Sequence, residues 1–110
     1  VISNYAEMEK RRLVHRLGVV YETPYNQMKE IPNMIKNIVN STSNAVFDRC
    51  HFVEFGSSSL DFEVVYYIPT SDYSLAMSAQ QEINLKIMKE FEAENISFAF
   101  PTQTIQITNQ

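Results

Sequence analysis

The chain has 110 residues, 45% of them hydrophobic and 20% charged, which suits one globular domain with a single core. Its formal net charge is −4, whereas a nucleic-acid-binding surface needs clustered Lys and Arg that displace counterions from phosphates. The basic run Lys10–Arg12 is short and typical of a solvated strand or linker end. The composition therefore predicts that nucleic acids are not partners.

The cysteine and histidine content argues against a disulfide or a metal site. Cys50 is the single cysteine, so it has no internal partner, and we interpret it as a small buried side chain within a strand. With only His15 and His51 beside it, the chain lacks the four ligands of a usual structural zinc site. We predict no metal and no cofactor.

Membrane and targeting signals are not evident in the sequence. No apolar run approaches the roughly 20 residues that cross a bilayer. The first residues, VISNYAEMEKRR, include neither an initiating Met nor the apolar segment of a signal peptide. We therefore expect the chain to be a piece of a longer protein that is soluble when taken alone.

Hydrophobic periodicity predicts a strand and then a helix in the first half of the chain. A period-two segment over residues 13–21 predicts the first strand, which Pro24 follows. Apolar side chains then recur at helical spacing up to about residue 41. Because a proline inside a helix costs about 3 kcal/mol or more, we predict a short turn over residues 25–31 and a main helix that begins at Pro32.

The second half reads as a hairpin, a helix and a last strand. Two strands, over residues 47–55 and 60–68, are joined by a tight Gly-Ser turn. A helix over about residues 74–94 follows, and Asn95 is suited to end it in the left-handed conformation. Its predicted buried residues are Ile83, Ile87 and Phe91. The last strand, residues 96–100, precedes a proline and an extended tail.

This order, β-α-β-β-α-β, predicts an α+β fold of the ferredoxin-like type. Four antiparallel strands would carry two helices on one face and leave the other face open. A C-terminal extended strand would follow this sandwich.

The side chains that could support catalysis have simpler structural interpretations. Asp61 and Glu63 share one side of a strand, which is typical of the polar face of a half-exposed sheet. The serines Ser57–Ser59 lie in a hairpin turn and not in a nucleophile elbow. His15 falls on the apolar side of its strand, as a partly buried histidine with one hydrogen bond would. We therefore predict that the chain is not an enzyme.

Three segments of the chain are distinctive: FDRCHFVEFGSSSLDFEVVYYI, DYSLAMSAQQEIN and FAFPTQT. In sequence, order and spacing they resemble the cytoplasmic carboxy-terminal domain of the small-conductance mechanosensitive channel family, MscS. The resemblance covers nearly the whole chain. Departures are slight: Cys50 and Asn95 replace the commoner Ala and Gly, and Ser57 with Ser58 stands where an acidic residue is frequent.

The resemblance implies a place in a channel that releases ions and small solutes on hypo-osmotic shock. In such channels the amino-terminal part spans the cell (inner) membrane, and a middle β domain hangs below it. An α/β domain then closes a hollow cytoplasmic vestibule in a heptamer. The family has no catalytic residues. The implied role of this domain is assembly and filtering, and not gating by itself.

By position, the resemblance divides the chain into three parts. Residues 1–12 would be the end of the middle β domain and a linker, residues 13–101 the ferredoxin-like domain, and residues 102–110 a strand of a β barrel. Apolar side chains on the open sheet face and on the barrel strand are expected to contact a neighbouring subunit or the middle β domain. The expected contact residues are Val53, Val65, Tyr67, Thr102, Thr104, Ile105 and Ile107.

Two other functions share this fold prediction. The first is a ferredoxin-like regulatory domain that binds a small ligand, because shared folds host unrelated functions. The second is a hydrolase of the acylphosphatase type, which needs a phosphate-binding loop before the first helix. The segment YETPYNQ is not such a loop.

Overall fold

The computed structural model describes residues 10–99, which form three strands and two helices. In chain order they are β1 (Arg11–Val19), α1 (Tyr25–Asn40), β2 (Val46–Phe55), β3 (Leu60–Ile68) and α2 (Tyr73–Ala93). The sheet is antiparallel throughout, in the order β1-β3-β2. The predicted α+β class is confirmed.

The core lies between the two helices and one face of the sheet, which we call the inner face. Side chains of α1, β3 and α2 that are less than 2% exposed meet there, among them Ile35, Phe62, Tyr66, Ile83 and Phe91. Burial of a large apolar side chain contributes roughly 1.5–3 kcal/mol. The predicted buried side of the second helix is thus confirmed.

Helix α1 is continuous, and the prediction of a separate turn over residues 25–31 is wrong. Pro32 lies inside the helix, where it cannot donate a backbone hydrogen bond to the carbonyl of Met28. Ile31 and Ile35, on either side of the proline, are both fully buried. Their burial offsets the roughly 3 kcal/mol that an interior proline costs.

The described residues contain three strands and not the predicted four. Beyond α2 a single antiparallel bridge joins Phe98 to Val19. Two backbone hydrogen bonds flank it, from Val20 N to the Ser97 carbonyl at 3.1 Å and from Ala99 N to the Gly18 carbonyl at 2.9 Å. A single bridge does not make a strand, and the described part of the chain ends at Ala99, directly after it.

Helix α2 begins and ends within one residue of the predicted bounds because local signals determine both ends. Asp72 is the N-cap, and its Oδ1 accepts hydrogen bonds from Ser74 N at 2.9 Å and Leu75 N at 3.3 Å. Asn95 follows the helix with φ of 60°, the predicted left-handed conformation. This allows Ile96 N to donate to the Phe91 carbonyl at 2.8 Å.

Replacing Asp72 by Ala is expected to lower the free energy of unfolding by about 1 kcal/mol, within the usual 0.5–2 kcal/mol for an N-cap. Two backbone N–H groups would lose their acceptor. Urea denaturation of the chain measures the change, and Asp72→Ser, which keeps an acceptor, should recover most of it. An unchanged midpoint in Asp72→Ala would show that the cap does not stabilise the fold.

Each helix supplies a side-chain donor near the carboxyl end of the other. Lys86 of α2 donates through Nζ to the Ser41 carbonyl and to Thr42 Oγ1, both at 3.2 Å, just past the end of α1. Gln27 in the first turn of α1 donates through Nε2 to the Glu94 carbonyl at 2.6 Å, just past the end of α2. The last carbonyls of a helix have no intrahelical partner, and these bonds give one carbonyl at each helix end a side-chain donor.

Candidate interaction face of the sheet

The face of the sheet opposite the helices, which we call the outer face, has no secondary-structure element packed on it within residues 10–99. Alternation along the strands places every second side chain there. Its side chains include Arg12, Val14 and Arg16 of β1, Asp61, Glu63, Val65 and Tyr67 of β3, and Val46, Arg49, His51 and Glu54 of β2.

Four apolar side chains lie together in one half of the outer face, where Arg12 is across from Tyr67 and Arg49 is across from Val65. Val14 lies directly across from Val65, and Val46 directly across from Tyr67. Val14 and Val46 are 45% and 53% exposed. Tyr67 is half-buried, and Lys10 Nζ lies 5.7 Å from the centre of its ring. We call these four side chains, Val14, Val46, Val65 and Tyr67, the valine–tyrosine patch.

Val65 does not offer the apolar surface expected from the sequence. It is fully buried within the single chain because Val14 and Arg49 flank it on the two neighbouring strands. Val65 therefore lies within the valine–tyrosine patch without exposed surface of its own, and the exposed apolar surface belongs to Val14 and Val46. That this face contacts a subunit remains a prediction.

The other half of the outer face is charged. Arg16 Nη1 lies 3.3 Å from Glu54 Oε1 and 3.9 Å from Asp61 Oδ2. Ser59 Oγ donates to Asp61 Oδ1 at 2.6 Å. The exposed Arg16–Glu54 pair stabilises the fold by about 0–1 kcal/mol. Asp61 and Glu63 are both half-buried, which agrees with the half-exposed sheet face predicted for them.

Val53, another predicted contact residue, does not belong to the valine–tyrosine patch. Val53 is 42% exposed and lies at an irregularity where the pairing of β2 with β3 shifts between Phe52 and Glu54. The remaining predicted contacts, Thr102, Thr104, Ile105 and Ile107, lie outside the described residues.

A small, partly buried polar cluster lies beside the core and was not fully predicted. His15 Nε2 lies 3.2 Å from Tyr66 Oη and 3.0 Å from Gln80 Nε2. The imidazole also stacks on the Tyr66 ring, with 5.5 Å between the ring centres. The partly buried histidine was expected from its place on the apolar side of β1, but its two partners were not. Burial lowers the pKa of His15 and raises the pKa of Tyr66 to about 12.

The stability of the chain should fall as the pH drops below about 6.5, the ordinary pKa of histidine. Because burial lowers the pKa of His15 in the folded state, the unfolded state binds the proton more readily. The contribution of His15 is therefore fully present above pH 6.5 and is lost as the pH falls through the folded pKa. Urea midpoints measured across this range should show a smaller decline in His15→Gln. An equal decline in both proteins would contradict the assignment.

Cys50 is buried in the inner face, as predicted, and burial raises the pKa of its thiol to about 12. It is therefore not a reactive nucleophile at neutral pH. Within residues 10–99 no three His, Cys, Asp or Glu side chains are grouped so that they could hold a metal ion. Neither helix in this part of the chain is long and apolar enough to span a bilayer.

Comparison with known protein families identifies the family of this chain. Residues 13–98 match the family described as "Mechanosensitive ion channel MscS, C-terminal". The chain belongs to the MscS family. This is a family of mechanosensitive channels and not of enzymes, in agreement with the prediction that the chain is not an enzyme.

Relatives of the MscS domain cover almost all of it. It is 37% identical over 107 residues to the small-conductance mechanosensitive channel MscMJ of Methanocaldococcus jannaschii, with 96% of this chain and 31% of that protein aligned. It is 26% identical to the low conductance mechanosensitive channel YnaI of Escherichia coli, with 98% of this chain and 32% of that protein aligned. The chain thus spans about a third of the length of these relatives.

Solved structures share the fold at low sequence identity. A cryo-EM structure of a variant of Arabidopsis thaliana MSL1 matches with a TM-score of 0.74 and 16% identity, over 92% of this chain and 39% of that one. The closed-state crystal structure of Helicobacter pylori MscS matches with a TM-score of 0.65 and 22% identity, over 97% and 42%.

Proposed function

We propose that this MscS domain forms part of the wall of a cytoplasmic vestibule in a mechanosensitive channel. The channel would release ions and small solutes on hypo-osmotic shock, and this domain would serve assembly and filtering and not gating by itself. The match of residues 13–98 to the family carries the proposal, and the relatives named as mechanosensitive channels support it. The domain would lie on the cytoplasmic side of the cell membrane.

We further propose that the complete domain is ferredoxin-like, with a fourth strand beside β1. The bridge between Val19 and Phe98 and its two flanking hydrogen bonds support this. In the whole channel, residues 1–12 would be the end of the middle β domain and a linker. Residues 13–101 would form the ferredoxin-like domain and residues 102–110 a strand of a β barrel.

The proposed partners are further copies of the chain, as a heptamer, and the middle β domain of the same channel. The valine–tyrosine patch supports this proposal, since contiguous exposed apolar surface usually marks a contact. Val14 and Val46 would carry the contact, Val65 and Tyr67 would support it, and Val53 would add to it from β2. The barrel-strand residues Thr102, Thr104, Ile105 and Ile107 would form a second contact.

A truncation tests the vestibule role. The full-length reading frame and a version that stops before residue 13 would be compared in cells that lack their own mechanosensitive channels. We expect the truncated channel to lose oligomer mass in detergent and survival of osmotic downshock, because the wall domain holds the subunits together. Normal assembly and normal survival without residues 13–110 would contradict the proposal.

A pair of surface substitutions tests the interface separately. Val14→Lys with Val46→Lys in the full-length channel should weaken the oligomer, because two exposed apolar contacts become charged. The same substitutions in the 110-residue chain should leave its urea midpoint nearly unchanged. Lys89→Glu, an exposed change on α2, is the matched control. An oligomer as stable as the parent would leave the valine–tyrosine patch without a role in assembly.

A further inference from the structure

Strand β2 lies at an edge of the sheet, and its outer side has no strand partner within residues 10–99. An unpaired edge offers a row of backbone N–H and C=O groups to any extended segment. Irregularities in the pairing with β3 lie on either side of Arg49–Phe52. These four residues form a short regular edge, which limits what can pair there to a short segment.

Positively charged side chains line a groove beside this edge. A groove between α1 and β2 is lined by Lys29, Asn33 and Lys36 of α1 and by Asp48–His51 of β2. Its three cationic side chains, Lys29, Lys36 and Arg49, face one acidic side chain, Asp48, whereas the whole chain carries a net charge of −4. We call this the α1–β2 groove.

The two lysines are available to a ligand. Arg49 is paired with Asp48 at 2.9 Å, but none of the ion pairs within residues 10–99 involves Lys29 or Lys36. Lys29 Nζ lies over the ring of Tyr25, 5.5 Å from its centre. The groove therefore holds two uncompensated charges above an open strand edge.

The spacing of the lysines suits an extended chain. Lys29 and Lys36 are seven positions apart in α1, a rise of about 10.5 Å along the helix. Same-face side chains of a strand are about 7 Å apart at i, i+2 and about 14 Å apart at i, i+4. The flexible lysine stems span the difference, so carboxylates at alternate positions of an added strand could reach both ammonium groups.

We propose that the α1–β2 groove binds a short extended acidic segment of another polypeptide by strand addition. Backbone hydrogen bonds to β2 would supply affinity, as in other cases where a peptide extends a sheet. Acidic side chains on the side of the added strand that faces α1 would meet Lys29 and Lys36, whereas its other side would lie beside Arg49, which is already paired with Asp48. This partner is additional to the subunit contact proposed for the valine–tyrosine patch.

The test uses a fluorescein-labelled octapeptide of alternating Thr and Glu and the 110-residue chain. We expect saturable binding, and Lys29→Gln with Lys36→Gln should weaken it about two- to thirtyfold, the range for two exposed ion pairs. Lys89→Gln, a lysine of α2 outside the groove, should leave the affinity unchanged. The same peptide with Lys in place of Glu should not bind.

Amide hydrogen exchange locates the binding. At saturation, amides within Arg49–Phe52 should exchange at least about tenfold more slowly, as expected of newly paired strand groups, while the central strand β3 stays unchanged. Equal binding of the lysine peptide, or protection elsewhere, would overturn the proposal. A dimer whose edge is already protected without peptide would instead assign the groove to a second copy. Preference for anionic lipid vesicles over the peptide would assign it to a membrane surface.

Discussion

Replacing Phe91 by Ala is expected to lower the free energy of unfolding by about 3–5 kcal/mol, the usual cost of removing a fully buried phenylalanine. Phe91 is completely buried at the end of α2 and stacks on Phe98, with 5.1 Å between the ring centres. Its loss would leave a cavity beneath the segment that pairs with β1. Since small domains are stable by about 5–15 kcal/mol, denaturant titration should show a large shift.

Met88 provides the matched control on the same helix. Its side chain is 59% exposed, so Met88→Ala should change the free energy of unfolding by no more than about 0.5 kcal/mol. A Phe91→Ala midpoint equal to that of Met88→Ala would show that the assigned face of α2 is wrong.

Replacing Val65 by Lys should be nearly as damaging, although Val65 lies on the outer face. The substitution would bury a positive charge directly across from Arg49. Neither of the two residues across from it, Val14 and Arg49, is acidic. An uncompensated buried charge costs about 3–5 kcal/mol, and like charges across strands repel. We therefore expect Val65→Lys to unfold much of the isolated chain, as thermal denaturation would show.

Val14→Lys is the control that shows whether burial, and not position on the outer face, causes the loss of stability. Val14 is directly across from Val65 but is 45% exposed, so its lysine would remain in water. We expect a change within about 0.5 kcal/mol. If both lysine variants were equally stable, the side chain of Val65 would have to be exposed to solvent. Val65 would then again be expected to contact the partner directly in the proposed interface.

The best-predicted elements are those specified by signals within a few residues of sequence. The alternation over residues 60–68 predicted β3 with its observed bounds. Ile83, Ile87 and Phe91 recur at intervals of four and lie on the buried side of α2. Asn95 adopts the left-handed conformation that its side chain tolerates.

The failures depend on contacts between distant parts of the chain. Periodicity assigns Val65 to a face of the sheet but does not reveal that Val14 and Arg49 cover it from the flanking strands. The local sequence around Pro32 predicts a helix start. The helix continues through Pro32 because the residues on either side of it pack in the core. The α1–β2 groove likewise combines side chains of two elements whose packing no local pattern describes.

The hydrogen bonds that each helix donates to the carboxyl end of the other affect how the domain folds. Lys86 and Ser41 are 45 residues apart, and Gln27 and Glu94 are 67 residues apart. Local hydrogen bonds satisfy several of the other terminal carbonyls, but the Ser41 and Glu94 carbonyls gain their side-chain donors only when the two helices have docked. Closing these long loops therefore precedes the gain. A fragment that retains one helix would lose these two hydrogen bonds. Both halves of the chain should therefore melt together in one transition.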